Sequence, residues 1–398
     1  MADNNENKVL NVPHLRFPEF SGEWKRVELK DVAEFQKSRI PADSLDASCY
    51  ISTENLIPNF GGIKEASSIP TDGNVMAIKP NDILISNIRP YLKKVWQSDR
   101  FGGCSADVFV LRTTRCQSDF LYNIIASDKF INYAMSGAKG VKMPRGDKRQ
   151  MEEFEFSIPA IEEQNRISRL LSLLDERIAT QNKIIEKYES LIQAMCDALI
   201  ESEQHKVKLS FNDFGEPYSG LLGKSAEDFG EGCLYITYMN VYQNQIIDTA
   251  NVGLVKINET EQQSVVHYGD ILFTLSSETA EEVGMGAVYL GDTYPLYLNS
   301  FCFGIHIIDE NKIFPPFLAF YVSTKSFRKV VFPLAQGSTR FNLQKNDFMK
   351  KVFSFPTVER QRKIYSALKT YSDKLSVEKS IAKLLCEQKN HLLSQLFI

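Results

Sequence analysis

The chain has 398 residues, a length that accommodates two to three domains of ordinary size. Apolar residues make up 43% and charged residues 24%, enough to bury a sizeable core and too apolar for a disordered polymer. With 46 basic against 50 acidic side chains the net charge is −4, which excludes a globally basic nucleic-acid coat but leaves room for a local basic groove.

In chain order, a first globular part covers roughly residues 24–158. It contains short runs rich in β-branched and aromatic residues, DILIS at 82–86 and DVFVL at 107–111, bounded by Gly, Asn and Pro. That pattern predicts strands and turns, with a helical stretch over 119–134. Pro159 stands where a helix can begin. From Ile167 onward, apolar residues recur in alternating steps of four and three: Ile167, Leu171, Leu174, Ile178, Ile185 and Ile192, with only Gln181 breaking the seam. This is a heptad pattern, the signature of a coiled-coil helix. A second globular part follows, with a strand at 270–274 (DILFT) and a helical stretch over 316–332. After Pro356 a second, weaker heptad seam runs through Ile364, Leu368, Leu375, Leu385 and Leu392, with Glu378 and Lys389 on it. The boundaries read 1–158, 159–204, 205–356 and 357–398.

Shifted by 197 residues, the chain matches itself. Phe120 and Leu121 fall on Phe317 and Leu318, Gly140 on Gly337, Lys148 on Lys345, Pro159 on Pro356, Gln164 on Gln361 and Ile167 on Ile364. With smaller offsets, Val27 and Leu29 match Val207 and Leu209, Tyr50 and Ile51 match Tyr235 and Ile236, and Asp82 matches Asp270. The common order indicates duplication of one two-part unit, far too long for a solenoid repeat. Each helical tail of about forty residues makes a rod of roughly 60 Å. Residues 159–204 carry net −4 and residues 357–398 net +4, which favours pairing of the two rods, although two solvated faces with unlike charge would read the same way. The expected architecture is α+β: two mixed α/β globular domains joined by two long antiparallel coiled-coil helices, related by a pseudo-twofold axis, with the helices as a strut between the domains.

Catalytic signatures are absent. The sequence contains no Walker loop, no GxGxxG, no GxSxG and no HExxH, and the five histidines are isolated along the chain. The short segments at Glu23 to Lys25 and Glu28 to Lys30 resemble the end of a nuclease metal site but lack its upstream Asp, and read as a charged surface strand. Seven cysteines, none in a CxxC pair, argue against structural zinc or a disulfide framework and for a reducing cytoplasm. The polar N-terminus, MADNNENK, has no apolar signal core, and the longest apolar run, 313–322, is too short to span a bilayer. The expectation is a binder, with no catalytic residue and no metal ligand.

Two basic clusters are candidate nucleic-acid contacts in the first globular part. Asn87, Arg89, Tyr91, Lys93 and Lys94 follow directly on a predicted strand, and Lys139, Lys142, Arg145, Lys148 and Arg149 lie in the loop KGVKMPRGDKR at 139–149. Arg and Asn can read base edges and Lys suits phosphates; a solvated basic turn is the competing reading. The second globular part is acidic, 12 basic against 16 acidic residues over 205–356. Its equivalent loop offers Gln336, Ser338, Thr339, Arg340 and Asn342. Thr237, Tyr238, Met239, Asn240, Ser276 and Ser277 are weaker candidates, with core or turn roles as the alternative. The acidic balance predicts weak DNA affinity for the isolated chain.

These features resemble the specificity subunits of Type I restriction-modification systems over nearly the whole chain. The resemblance lies in the order globular domain, heptad helix, globular domain, heptad helix. It is carried by Ser157, Pro159, Glu162, Glu163, Gln164, Arg166 and Ile167 with Asp175 and Arg177, and again by Phe355, Pro356, Glu359, Gln361, Lys363 and Ile364. Phe17, Phe20, Trp24 and Asp31, the segment from Asp82 to Tyr91, and Gly103 to Ser105 add to it. Arg360 and Ser372 depart from the first copy, where Glu163 and Asp175 stand, which puts identical partner contacts by the two helices in question.

The resemblance implies a non-catalytic DNA reader. Its two target recognition domains would each read half of a bipartite site, a helical turn or ~34–36 Å apart. Its helices would act as a spacer and dock two modification (methyltransferase) subunits, joined by restriction (motor-nuclease) subunits. S-adenosylmethionine, ATP and magnesium would belong to those partners and none to this chain. A coiled-coil scaffold for proteins, or a stand-alone DNA-binding regulator, are the alternatives.

Overall fold

A computed structural model describes residues 10–397, apart from Val141 and Glu259. The chain divides into two compact units, one formed by the residues up to Thr180 together with those from Ala382, the other by Gln181–Ile381.

In the first unit, strands Ala33–Phe35, Val108–Thr113, Ile83–Ser86 and Val95–Gln97 form, in that spatial order, an antiparallel sheet. A second sheet is ordered Arg39–Pro41, Asn74–Ile78, Gly102–Cys104 and Tyr50–Ile51, the last pair parallel. Strand Lys25–Glu28 pairs antiparallel with Glu155–Ile158 just before the first long helix, Ile161–Glu201. The strand Ile83–Ser86, apolar in its first three residues, is buried on both faces, as that hydrophobic run leads one to expect. The core joins Trp24, Phe120, Phe130 and Phe156 to Ile167 and Leu171 of the helix.

The second unit repeats this plan. Strands Gly215–Ser219, Cys302–Ile307, Ile271–Thr274 and Gly286–Val288 form the equivalent antiparallel sheet, and Lys206–Ser210 pairs with Val352–Pro356 ahead of the second long helix, Val358–Leu396. Tyr235 and Ile236 pair parallel with Tyr297 and Leu298, as Tyr50 and Ile51 do with Gly103 and Cys104. Phe211 sits at the centre of an aromatic core, stacked on Phe348 at 5.0 Å and edge-on to Phe273 at 5.7 Å; Ile364 and Leu368 belong to the same core. At the start of each long helix, the seam therefore closes its own α/β core.

Two buried glutamines explain the repeated Pro-to-Gln motif. Gln164 Oε1 accepts from the Gln117 backbone N–H (2.9 Å) while its Nε2 donates to the Pro159 carbonyl (2.9 Å). Gln361, 197 residues on, accepts from the Phe314 N–H (2.8 Å) and donates to the Pro356 carbonyl (2.8 Å). Each amide ties the helix start to the loop ahead of a short helix and satisfies backbone groups that the fold buries. The departure at the preceding position is also explained. Buried Glu163 receives a bidentate Arg16 (2.8 and 2.7 Å), whereas Arg360 donates to Glu203 at 2.7 Å.

Three expectations change. The single helical stretches over 119–134 and 316–332 are each two helices, Ser118–Ile125 with Asp128–Ser136 and Pro315–Tyr321 with Lys325–Val331. Ser127 and Thr324 split them by accepting the N–H of Phe130 and Phe327 (3.3 and 3.2 Å), because a short hydroxyl side chain competes for the backbone and caps a new helix. The match of Val27 and Leu29 to Val207 and Leu209 is displaced by two residues. Val27 faces Phe156 and Leu209 faces Phe353, and the backbone N–H of Glu28 and of Ser210 each donates to an aspartate three residues ahead (2.9 and 2.6 Å), so Val27 corresponds to Leu209. A two-residue slip preserves which side chains face the core, so alternation alone could not detect it. Lastly, the 139–149 segment is not loop throughout: Lys148 opens the short helix Lys148–Glu152.

Within the second unit the polar break in each heptad seam meets the other. Gln181 Nε2 donates to Glu378 Oε2 (2.5 Å) and to the Glu378 carbonyl (3.1 Å), both residues being buried. Lys379 pairs with Glu189 (2.7 Å) and Arg360 with Glu203 (2.7 Å), so positions descend along one helix as they ascend along the other. In the first unit Lys389 pairs with Asp175 at 2.6 Å. Of the remaining seam residues, Ile192 and Leu385 are buried, and Leu174, Ile178, Ile185, Leu375 and Leu392 are half-buried. Among the described residues, no helix is long and apolar enough to cross a membrane.

Candidate nucleic-acid interface

The structure merges the two basic clusters of the first unit into one surface. The segment leaving strand Ile83–Ser86 lies against the 139–149 segment. Ile88 bridges Arg145, the Arg89 N–H donates to the Pro144 carbonyl (2.8 Å), and the Gly146 N–H donates to the Asn87 carbonyl (3.0 Å). Lys139 and Arg145 close a hairpin on each other through two backbone bonds of 3.0 and 2.9 Å.

The second unit builds the same device. Hairpin strands Ala335–Gln336 and Phe341–Leu343 pair, and Asn342 in turn faces Ser276. Shifted by 197 residues, Lys139 and Arg145 become Gln336 and Asn342, so the pairing of Lys139 with Arg145 is repeated position for position. Gly140 and Gly337 make the turns with φ of +95° and +138°, and a Cβ on Gly337 would meet the Arg340 carbonyl oxygen at 1.9 Å. Only glycine fits that conformation.

The candidate side chains divide into outward and inward sets. Tyr91, Lys139, Lys142, Arg145 and Arg149 are exposed in the first unit, and Gln336, Ser338, Thr339, Arg340 and Asn342 in the second. Several cations are held by nearby acids or carbonyls: Lys93 by Asp128 (2.6 Å), Lys139 by Asp147 (2.7 Å), Arg145 by Asp107 (3.0 Å) and Lys94 by the Thr53 carbonyl (2.6 Å). Lys148 turns inward, its ammonium 4.7 Å from the Phe109 ring centre and 5.4 Å from that of Phe35. Burial and then Lys37 push its pKa below the usual lysine value, and burial does the same to Lys94. Lys94 and Lys148 are thus half-buried, with their ammonium groups turned toward the Thr53 carbonyl and the two phenylalanine rings.

Asn87 and Arg89 are half-buried. Among the described residues, Asn87 Oδ1 and Arg89 Nε are buried atoms with no hydrogen-bond partner. Arg89 also adopts a left-handed backbone (φ 51°, ψ 63°). Unpartnered buried polar atoms and a positive φ on a non-glycine residue set Asn87 and Arg89 apart from the other candidates.

Of the weaker candidates of the second unit, Ser276 and Ser277 pair with its hairpin and Tyr238 reaches it through Ser276, whereas the others have local roles. Thr237 caps the short helix Tyr238–Gln243, Asn240 is buried and donates to the carbonyls of Asp248 and Asn251 (2.8 Å each), and the Tyr238 hydroxyl donates to the Ser276 carbonyl (2.7 Å). Met239 is exposed. Tyr238 stacks on Tyr242, with ring centres 5.9 Å apart. Tyr242 donates to Glu282 (2.6 Å), a bond that pushes its pKa up to about 12. Sequence reading missed Tyr242, Glu282 and the counter-acids Asp107, Asp128 and Asp147; their partners lie 8 to 40 residues away along the chain.

Residues 21–190 and 226–385 each match the family described as the Type I restriction modification DNA specificity domain. The chain belongs to that family. The double match shows that the internal repeat is a repeat of the family's domain. The chain is similar to the Type I restriction enzyme MjaVIII specificity subunit of Methanocaldococcus jannaschii, at 23% identity over 94% of this chain and 91% of that one. It also resembles the EcoDI specificity subunit of Escherichia coli, at 23% identity over 48% and 44%. Among solved structures, an S subunit from M. genitalium has the same fold, with a TM-score of 0.56 at 18% identity over 97% of this chain and 99% of that one. So does a chain from work on assembly and conformational transition of the type I R-M system, with a TM-score of 0.51 at 17% identity over 94% and 97%.

Proposed function

We propose that this chain is the DNA sequence-specificity subunit of a Type I restriction-modification complex, working on double-stranded DNA in the cytoplasm and leaving catalysis to its partners. The observation that carries the reading is the repeated hairpin. Two family domains present it at equivalent positions but dress it differently, with Lys139, Arg145 and the unsatisfied Asn87 and Arg89 in one, and Gln336, Arg340 and Asn342 in the other. Like scaffolds with unlike side chains suit the reading of two different half-sites. The acids beside Lys93, Lys139 and Arg145 hold down non-specific attraction to phosphate, so specific contacts count for more.

The two long helices are antiparallel coiled-coil partners, and Gln181 and Glu378, equivalent in the two copies, meet in the seam. This is a register-setting polar contact in an apolar seam. The helices and the adjoining surfaces dock the modification subunits, two by symmetry, and the restriction subunits complete the complex. S-adenosylmethionine, ATP and magnesium are held by those partners.

The test is base-resolution methylation sequencing of a methylation-free bacterial host expressing this chain with the methyltransferase encoded beside it. Methylation of one split sequence, present only with this chain, is the expected result. Soluble, associated proteins with no sequence-specific methylation would overturn the reading in favour of a scaffold or a regulator.

A further inference from the structure

Two of the five histidines, isolated in sequence, meet in the second unit. His267 Nδ1 lies 3.4 Å from His306 Nδ1, and His306 Nδ1 lies 2.9 Å from the carboxylate of Asp270. The ligand atoms of all three residues fall within 4.8 Å of one another. Asp270 is 2% exposed. It is held by the backbone N–H of His267 (2.8 Å) and the hydroxyl of Tyr218 (2.8 Å), and Tyr218 stacks on the His306 ring at 4.2 Å. The carboxylate and one imidazole are thus fixed in place, while His267 stands at the surface.

The first repeat shows what this position demands. Its counterpart carboxylate, Asp82, accepts from the Lys79 N–H (2.8 Å) and is neutralised by a bidentate Arg112 (2.7 and 2.7 Å). Arg112 pairs across the sheet with Glu34 as His306 does with Glu216. A buried carboxylate is stabilised by hydrogen bonds and by a nearby positive charge. Guanidinium supplies it permanently, whereas His306 is charged only when protonated. With the proton on Nε2, each neutral imidazole would present an Nδ1 lone pair beside the carboxylate. For a tetrahedral zinc ion with Zn–N bonds of ~2.0–2.1 Å, the nitrogen–nitrogen edge is about 3.4 Å.

We propose that His267, Asp270 and His306 form a binding site for a divalent transition-metal ion of the zinc class, which takes the place that Arg112 occupies in the first repeat. Two nitrogens and one carboxylate oxygen suit zinc, with water completing the shell on the exposed side. The ion clips the turn before strand Ile271–Thr274 to strand Cys302–Ile307. This inference is independent of the DNA-reading proposal, and either can fail alone.

The experiment is a calorimetric titration of the metal-stripped full-length chain with zinc sulfate, with thermal melting in parallel. One ion per chain is expected, together with a rise in melting temperature. His267→Gln, an exposed substitution, weakens binding at least tenfold and abolishes the melting shift, with an unchanged circular dichroism spectrum. His306→Gln does the same, while His205→Gln and His391→Gln leave binding intact. No saturable binding by the wild-type chain overturns the site, as does undiminished binding in His267→Gln, which places the ion on other residues such as the exposed Cys386.

Discussion

Replacing Gln361 by leucine tests the account of the repeated motif most directly. Gln361 is 0% exposed and its amide makes two bonds of 2.8 Å, one from the Phe314 N–H and one to the Pro356 carbonyl. Leucine fills nearly the same volume, so the cavity contribution is small and the loss falls on the two stranded backbone groups. Leaving each buried group unsatisfied costs about 1–3 kcal/mol, so the expected total is about 3 kcal/mol. For a unit of this size, each kcal/mol corresponds to roughly 2–4 °C in melting temperature, giving a fall of about 6–12 °C for its transition in scanning calorimetry of the full chain. Gln164→Leu should cost about the same, because the same two bonds recur at 2.9 Å. The two losses should add, the residues lying in different units. Gln388→Ala on the exposed helix surface is the control, expected within about 0.5 kcal/mol of wild type. A Gln361→Leu melting temperature within about 2 °C of wild type would refute the reasoning.

Gln181→Leu alone should lower thermal stability by depriving Glu378 of a hydrogen bond, and adding Glu378→Leu should restore it to wild type or above; calorimetry of the three variants decides. Lys374, and then Gln181, hold the Glu378 carboxyl below its ordinary value of 4.5. A depressed carboxylate contributes stability that is fully present above its unfolded value and lost as pH falls through its lower folded value. Acid melting curves of Glu378→Gln should therefore be flatter below pH 4.5 than those of wild type, and parallel curves would count against the contact. Arg89→Ala and Arg340→Ala should each relax one half of the recognised sequence and weaken it by about 1–3 kcal/mol, or roughly 5- to 150-fold; unchanged methylation patterns in both would remove these residues from the interface.

The repeat, the two long helices and the glutamine motif were legible because each is written in local periodicity or fixed spacing. Ile167 to Leu171, or Pro159 to Gln164, is a relation between near neighbours that helical geometry converts directly into a shared face. Helix breaks at Ser127 and Thr324 were less visible, because a hydroxyl is compatible with a helix interior until its cap bond is seen. The slip of Val27 against Val207 was invisible, because both registers keep the same alternation.

By itself the sequence determined the family, the duplication and the place of the first candidate segment directly after a buried strand. Tertiary structure decided which loops lie together. Arg145 meets Ile88 and Asp107, and Asn342 meets Ser276 and Gln336, because strand pairing brings remote segments edge to edge. The same pairing turned Lys94 and Lys148 inward and drew His267 and His306 onto Asp270. Composition and spacing record which side chains are available. Their partners depend on backbone register across dozens of residues, and register is settled only when the whole sheet packs.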